Sequence, residues 1–417
     1  MKLDRLLSVA DFERAARRFL PRAVFGYVVG GTEDCQTLQA NRRVFDQLVF
    51  RPRGLAGVGM RSQSVELWGR RYDSPIGIAP MGVTAICRHE CDIALARAAH
   101  QKNIPFILSG LSTVPMEKVQ AAAPGIWYQG YIPGDIDRIG ALMKRLQATG
   151  IDVLAVTIDT AVGANRENNE RAGFTIPFGL SPALALDGML HPRWSLSVFL
   201  HTLRNGGIPR FTNVVADPAG FRITEEPTGG FRAGRDLLTW EHLRWMRDNW
   251  PGRLVVKGVM HAEDARRAVQ LGLDGVIVSN HGGRQLDGSI SALQALADVR
   301  QVVPADFPVM IDSGFRRGTD VLKAIALGAR LVFMGRPMLY GASVAGTPGV
   351  ARVIDILHAE IDRNLALLGC PQIGDLTEDW LAFAPDFRLQ RPDMLQDGGA
   401  AVKRGAETSA PLHVASA

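Results

Sequence analysis

Leu254-Val-Val-Lys-Gly-Val259 is a short, almost wholly apolar run. After it comes Glu263-Asp-Ala-Arg-Arg-Ala-Val-Gln-Leu271, whose apolar residues recur at helical spacing, and then a second apolar run, Gly275-Val-Ile-Val278. Runs this short and this rich in β-branched residues suit parallel strands covered on both faces, and the stretch between them suits the crossover helix that such a pair requires. The unit repeats on either side. Further runs lie at Pro75–Ala79, Ile104–Leu108, Ile126–Tyr131, Val153–Ile158, Val309–Ile311 and Leu331–Met334, with helical spacing in stretches such as Ile139–Ala148 and Asp320–Leu327. Eight strand–helix units in about 260 residues predict an α/β fold, a (β/α)8 TIM barrel. A doubly wound sheet is the rival, but it would open with a Gly-rich fingerprint after its first strand, and Pro75–Gly82 has none.

Around that repeat the chain divides into expected parts. Residues 1–73, patterned as a helix at Phe12, Ala15, Ala16 and Phe19 before Pro21, are expected to cap one end of a barrel spanning 74–390. Residues 161–236 follow strand four and are far longer than an ordinary βα loop, so they are expected to form a lid or a membrane or subunit contact. Residues 391–417, rich in Gly, Ala, Ser and Pro, read as a flexible tail.

Composition narrows the class. Of 417 residues, 47% are hydrophobic and 21% charged, which fits a globular core and excludes a disordered or collagen-like chain. Four cysteines exclude a disulfide scaffold and point to a reducing, cytoplasmic compartment. No apolar run reaches the roughly 18 residues of a membrane span, and Met1–Leu20 lacks the apolar centre of a secretory signal. The net charge of +5 suits an anionic ligand or a membrane surface. No zinc-finger, RRM or dense basic run is present, so nucleic acid is not an expected partner. The run His191-Pro-Arg-Trp-Ser-Leu-Ser-Val-Phe-Leu200, continued by His201, Leu203 and Arg204, is amphipathic and modestly basic. It suits peripheral contact with the inner face of a membrane, a subunit contact, or ordinary lid packing. Cys87-Arg-His-Glu-Cys91 lacks the second Cys/His pair that a structural zinc would need, so no metal is expected and the segment reads as helix-start packing.

A barrel carries its reactive groups at the C-terminal ends of its strands. The polar residues there are Ser109, Gln129 with Tyr131, Thr157 with Asp159, Lys257, Ser279 with His281 and Arg284, Asp312, and Gly335 with Arg336. The set holds a base, carboxylates, cations and neutral hydrogen-bonding groups, as an anionic cofactor with an anionic substrate would need. In Val278-Ser-Asn-His-Gly-Gly-Arg-Gln-Leu-Asp287, His281 is a candidate base and Arg284 a bidentate carboxylate clamp. Asp159 is placed to support the imidazolium as it forms, and Arg166 adds a second cation. Ile311-Asp-Ser-Gly-Phe-Arg-Arg-Gly318 and Phe333-Met-Gly-Arg336, in the last two barrel units, suit a phosphate site built on Gly314, Arg316, Gly335 and Arg336, with Asp312 free for sugar-like hydroxyls. Lys257 can form a Schiff base or set a cation against an electron-accepting ring. A Schiff-base aldolase through Lys257 and a catalytically dead barrel used for assembly are the readings from other classes. The first predicts a colourless protein trapped by borohydride, the second a protein with no cofactor.

The strand-end set resembles the FMN-dependent (S)-2-hydroxy acid oxidase/dehydrogenase family, from Leu20-Pro21 through Leu368-Gly-Cys370. The resemblance is most specific in Ser279-Asn-His-Gly-Gly-Arg-Gln-Leu-Asp287 and is strongest to the family's mandelate dehydrogenase branch in Asp312-Ser-Gly-Phe-Arg-Arg-Gly318 and His191-Pro-Arg-Trp194. It implies FMN across the barrel mouth, with Ala79, Ser109, Gln129, Thr157, Lys257 and Ser279 around the isoalloxazine and Asp312, Gly314, Arg316, Gly335 and Arg336 around the ribityl chain and phosphate. It implies His281 as base, Asp159 as its partner, Arg166 and Arg284 as the carboxylate clamp, and Tyr27 and Tyr131 as further substrate contacts. The implied reaction oxidises an (S)-2-hydroxy acid to the 2-oxo acid and passes electrons to a quinone or to O2. A homotetramer is the implied assembly. Leu111 and Gly82 stand where many members carry the bulkier Trp and Ala, which implies a bulky, mandelate-like side chain on the substrate.

Overall fold

The computed structural model describes residues 2–384 except 176, 180, 215, 216, 218 and 227–231. The expected tail, 391–417, and the end of the expected barrel segment, 385–390, lie outside the described residues.

Each of the eight apolar runs overlaps a strand: β1 Ile76–Ile78, β2 Ile107–Ser109, β3 Trp127–Gly130, β4 Val153–Thr157, β5 Arg253–Val259, β6 Gly275–Val278, β7 Val309–Ile311 and β8 Leu331–Met334. All pair in parallel with their chain neighbours, and β8 pairs with β1. A single bridge, Ile78 with Phe106, with the Ile78 amide donating to the Pro105 carbonyl at 2.9 Å, joins β1 to β2 and closes the ring. The fold is a (β/α)8 barrel with a helical N-terminal region and a long insertion after β4.

Strand side chains alternate between faces, so every second residue points into the barrel. Ile107, Trp127, Val153, Ala155, Val255, Ile277, Met310, Leu331 and Phe333 fill the interior as an apolar plug. The next inward step along the strands is polar or small: Ala79, Ser109, Gln129, Thr157, Lys257, Ser279, Asp312 and Gly335. This period-two register lifts the polar set onto one floor above an apolar core. Outward residues of the same strands, such as Leu154, Val156, Val276 and Val278, pack under the surrounding helices.

The first 73 residues do more than cap one end. Helices Val9–Phe19, Arg22–Val29 and Gln36–Asp46 lie on the side of the C-terminal mouth, where Asn41 exchanges two 2.8 Å hydrogen bonds with Asn280. A hairpin, Val65–Leu67 with Arg70–Tyr72, closes the opposite end. There Leu67 and Tyr72 join the interior plug and the Trp68 indole donates to the Asp274 carbonyl at 3.1 Å. The hairpin turn is too short for its role to show in apolar periodicity.

The insertion includes helices Pro182–Leu190 and His201–Gly206 joined through Pro192–Trp194 and a π-type turn, Ser195–Leu200. It is pinned by Trp194, whose indole donates to the Ile86 carbonyl at 2.7 Å, and by buried Val198. Cys87 and Cys91 are buried at the start of helix Cys91–Gln101, where burial pushes the Cys87 thiol up to about 12. Among the described residues no group of three metal-type ligands gathers.

Candidate active site

The C-terminal mouth opens into a cavity with about 1110 Å3 of empty space, part of it continuous with solvent. Tyr27, Ala79, Gln129, Tyr131, Thr157, Arg166, Lys257, His281, Arg284, Asp312, Gly314, Arg316, Gly335 and Arg336 all line it. Ser109, Ser279 and Asp159 stand just behind that lining. The Ser109 hydroxyl donates to the Gln129 amide oxygen at 3.1 Å, and the Ser279 hydroxyl accepts from Lys257 at 2.7 Å.

His281 sits just past β6 with φ of 58°, a left-handed conformation uncommon outside glycine. Two serines hold the turn: Ser279 Oγ accepts from the His281 amide at 3.1 Å and Ser313 Oγ accepts from the Gly282 amide at 3.0 Å. Nδ1 of His281 donates to the Asp159 carboxylate at 3.0 and 3.2 Å. That bond selects the tautomer whose Nε2 carries a lone pair. Nε2 faces the Tyr131 hydroxyl, 3.5 Å away at the outer limit of a hydrogen bond. Burial pushes the imidazole below its ordinary value of 6.5 and Asp159 only partly restores it, so the ring is neutral and ready to accept a proton at neutral pH. Burial alone would raise Asp159, but His281 and Lys257 outweigh it and keep the carboxylate ionised.

Gly258 makes this geometry fit. At φ +104° it breaks the register of β5, and a Cβ there would stand 2.8 Å from Asp159 Cβ and Cγ. Gly258→Ala is expected to displace Asp159 and lower turnover by on the order of 10²-fold, the cost of roughly an ångström of misplacement. Steady-state kcat beside cofactor content checks this, and wild-type kcat would refute it.

Lys257 is buried and pairs with Asp312 Oδ2 at 2.9 Å. Burial would lower the ammonium, but Asp312 and Asp159 outweigh it, so the lysine stays charged. A charged lysine held by a carboxylate is a poor Schiff-base nucleophile, which weighs against the aldolase reading. Among the described residues the Gln129 amide nitrogen and the Thr157 hydroxyl are buried without a hydrogen-bond partner, and both residues line the cavity. Unspent polar atoms on the cavity floor, with a fixed cation beside them, fit a heteroatom-edged ring such as isoalloxazine. Gly314, at φ +90°, is pressed so closely on the N-terminal region that a Cβ would lie 2.2 Å from the Asn41 carbonyl oxygen. Helix Arg336–Ala345 begins at the mouth, with Gly335 and Arg336 lining the cavity, as a phosphate site requires.

The arginines divide. Arg336 donates to the carbonyls of Val28, Gly282 and Gly30 at 2.8–3.0 Å, so its side chain staples the N-terminal helices to the β6 loop. Burial brings it down to about 9. Arg284 donates through Nη1 alone to the Tyr27 and Gly30 carbonyls, which leaves its other nitrogens for a ligand. Arg166 donates to the Arg284 carbonyl at 3.1 Å and to Gln285 at 3.0 Å, joining the insertion to the same loop.

Arg232, Arg235, Ser313 and Gly258 were not legible as site residues. Ser313 adjoins Asp312, which is a signal of sorts. The two arginines follow no strand, and only folding of the insertion brings them to the mouth.

Comparison with known proteins agrees with this geometry. Residues 16–383 match the family described as FMN-dependent dehydrogenase. The (S)-mandelate dehydrogenase of Pseudomonas putida is 42% identical over 377 residues, covering 90% of this chain and 94% of that protein. The L-lactate dehydrogenase of Azorhizobium caulinodans is 35% identical over 381 residues, covering 90% and 98%. The crystal structure of a monotopic membrane protein, (S)-mandelate dehydrogenase, superposes with a TM-score of 0.85 at 40% identity, covering 91% of this chain and 99% of that one. The chain belongs to the FMN-dependent dehydrogenases and is an enzyme that uses FMN to oxidise a 2-hydroxy acid to the 2-oxo acid.

Proposed function

We propose that the substrate is an (S)-2-hydroxy acid with a bulky, mandelate-like side chain and that the electrons pass to a quinone rather than to O2. The observation that carries the reading is the His281–Asp159 pair, which leaves the Nε2 lone pair on the cavity side beside the Tyr131 hydroxyl, with Arg284 lining the same cavity. Arg284 and Arg166 hold the substrate carboxylate, aided by Tyr27 and Tyr131, so that the carbinol carbon faces the floor. His281 Nε2 takes one proton from the substrate, and Asp159 stabilises the imidazolium that forms. Ala79, Ser109, Gln129, Thr157, Lys257 and Ser279 hold the ring of FMN, and Asp312, Gly314, Arg316, Gly335 and Arg336 its chain and phosphate. Bound there, FMN supplies the two-electron acceptor. Leu111 and Gly82 line the cavity packed on each other, a Cβ at Gly82 lying 2.8 Å from Leu111 Cβ, and similarity to (S)-mandelate dehydrogenase supports an aromatic side chain on the substrate. The test is anaerobic bleaching of the holoenzyme by (S)-mandelate, lactate and glycolate, followed by turnover with O2 or with a soluble quinone. Fastest bleaching by mandelate and slow peroxide formation support the reading. Preference for glycolate, or rapid peroxide formation, overturns the corresponding half.

The same reading places the protein on the inner face of a membrane through the insertion. Met189, Leu190, Leu196 and Leu200 are exposed, near Arg193 and Arg204, and no helix among the described residues is long and apolar enough to cross a bilayer. Apolar side chains beside a few cations suit an interfacial seat on anionic lipid. A Leu196→Glu/Leu200→Glu variant is expected to lose most of its co-sedimentation with anionic vesicles while keeping its cofactor. Undiminished co-sedimentation would remove this surface from the role.

A further inference from the structure

Six arginines line the cavity, and the roles proposed above use four of them. Arg316 and Arg336 lie at the phosphate end, and Arg166 and Arg284 at the substrate carboxylate. Arg235 and Arg232 remain. Arg235 is only 8% exposed. Its guanidinium lies over the Tyr131 ring, 4.4 Å from the centroid. Among the described residues it has no carboxylate partner, and no hydrogen bond engages its side chain. Arg232 stands beside it and spends one nitrogen on the Val162 carbonyl at 2.8 Å. Burial lowers both guanidiniums, Arg235 to about 10, and each is further opposed by a neighbouring arginine.

A buried guanidinium has five donors and a full charge to satisfy. An aromatic face compensates only part of that cost. Such a group is stable where an anionic ligand completes it. The phosphate and the C1 carboxylate have their own cations, so this pair needs a further anion. Space exists for one. Arg235 also lines an adjoining cleft with about 600 Å3 of empty space, shared with Thr160, Leu238 and Trp240, so a side chain longer than phenyl can reach it.

We infer that the preferred 2-hydroxy acid is a dianion whose side chain ends in a second carboxylate, received by Arg235 with Arg232. The inference rests on the reading in which Arg284 and Arg166 hold the C1 carboxylate. It makes Arg235 a specificity-determining residue that discriminates between acids of equal size.

The experiment compares matched pairs on the FMN-loaded enzyme with an artificial acceptor: (S)-4-carboxymandelate against (S)-4-methylmandelate, and (S)-2-hydroxyglutarate against (S)-2-hydroxypentanoate. The expected kcat/KM favours the dianion in at least one pair by on the order of 10²-fold, the scale set by leaving a buried charge unpaired. Arg235→Gln is expected to bring that ratio below tenfold, mainly through KM, and Arg235→Lys to restore much of it. A wild-type ratio near or below one in both pairs overturns the inference and leaves the mandelate-like reading standing. A ratio undiminished in Arg235→Gln removes Arg235 from the role. Absence of bleaching by all four acids would instead refute the reading on which the inference rests.

Discussion

His281→Gln is expected to keep FMN and lose turnover by roughly 10²–10⁴-fold, the range for removing a positioned general base. Glutamine preserves size and polarity but has no basic nitrogen. The Asp159 carboxylate, now without an imidazole at 3.0 Å, stands behind the cavity lining. The pH profile supplies a second readout. Only neutral His281 can accept a proton, so kcat/KM of the wild-type enzyme should fall as pH drops through the histidine's pKa. Burial has moved that value below 6.5, so the midpoint lies on the acid side of an ordinary histidine, and the limb should vanish in the variant. A variant within tenfold of wild type, or one that keeps the limb, would assign the base elsewhere.

Lys257→Met is the second large effect, and it falls on stability as well as rate. The Lys257–Asp312 pair is 5% and 9% exposed at the side chains. Methionine keeps most of the stem's packing and removes the charge, together with the hydrogen bond to Ser279. Asp312 would retain the Ser313 hydroxyl at 2.8 Å but lose its counter-ion. Breaking one half of a buried pair costs about 3–5 kcal/mol, because an uncompensated charge remains. Removing both halves costs far less, so Lys257→Met/Asp312→Leu should recover most of the loss while staying inactive. Urea unfolding of the FMN-loaded proteins, beside their rates of substrate bleaching, separates the two effects. If the single variant proved as stable as wild type, the ion pair would not be a structural element of the floor.

Much of the architecture was readable because its cause is local. A parallel strand buried on both faces must be short and apolar, so all eight strands stand out in the chain, and residues at each strand's C-terminal end must approach the mouth. Gln129, Thr157, Lys257 and Asp312 follow from that rule and from period two. Gly282 and Gly283 beside His281 mark the sharp turn directly. Contacts made across the fold left no comparable trace. Nothing near Arg336 announces that its guanidinium is spent on the carbonyls of Val28, Gly30 and Gly282. Trp68 looks like any aromatic until it closes the barrel floor against Asp274.

Residue order thus determined which segments become strands, which side chains crown them, and that a base, a carboxylate and several cations share one mouth. Tertiary structure alone decided which cations are already occupied and which are free. Arg284 spends only Nη1, Arg336 commits all three of its nitrogens to backbone carbonyls and keeps one N–H on each Nη, and Arg235 has come from a long insertion to lie over Tyr131 with no ion-pair partner among the described residues. Periodicity reports a residue's burial and its face, because both follow from local backbone geometry. A guanidinium's partners depend on where distant loops finally pack.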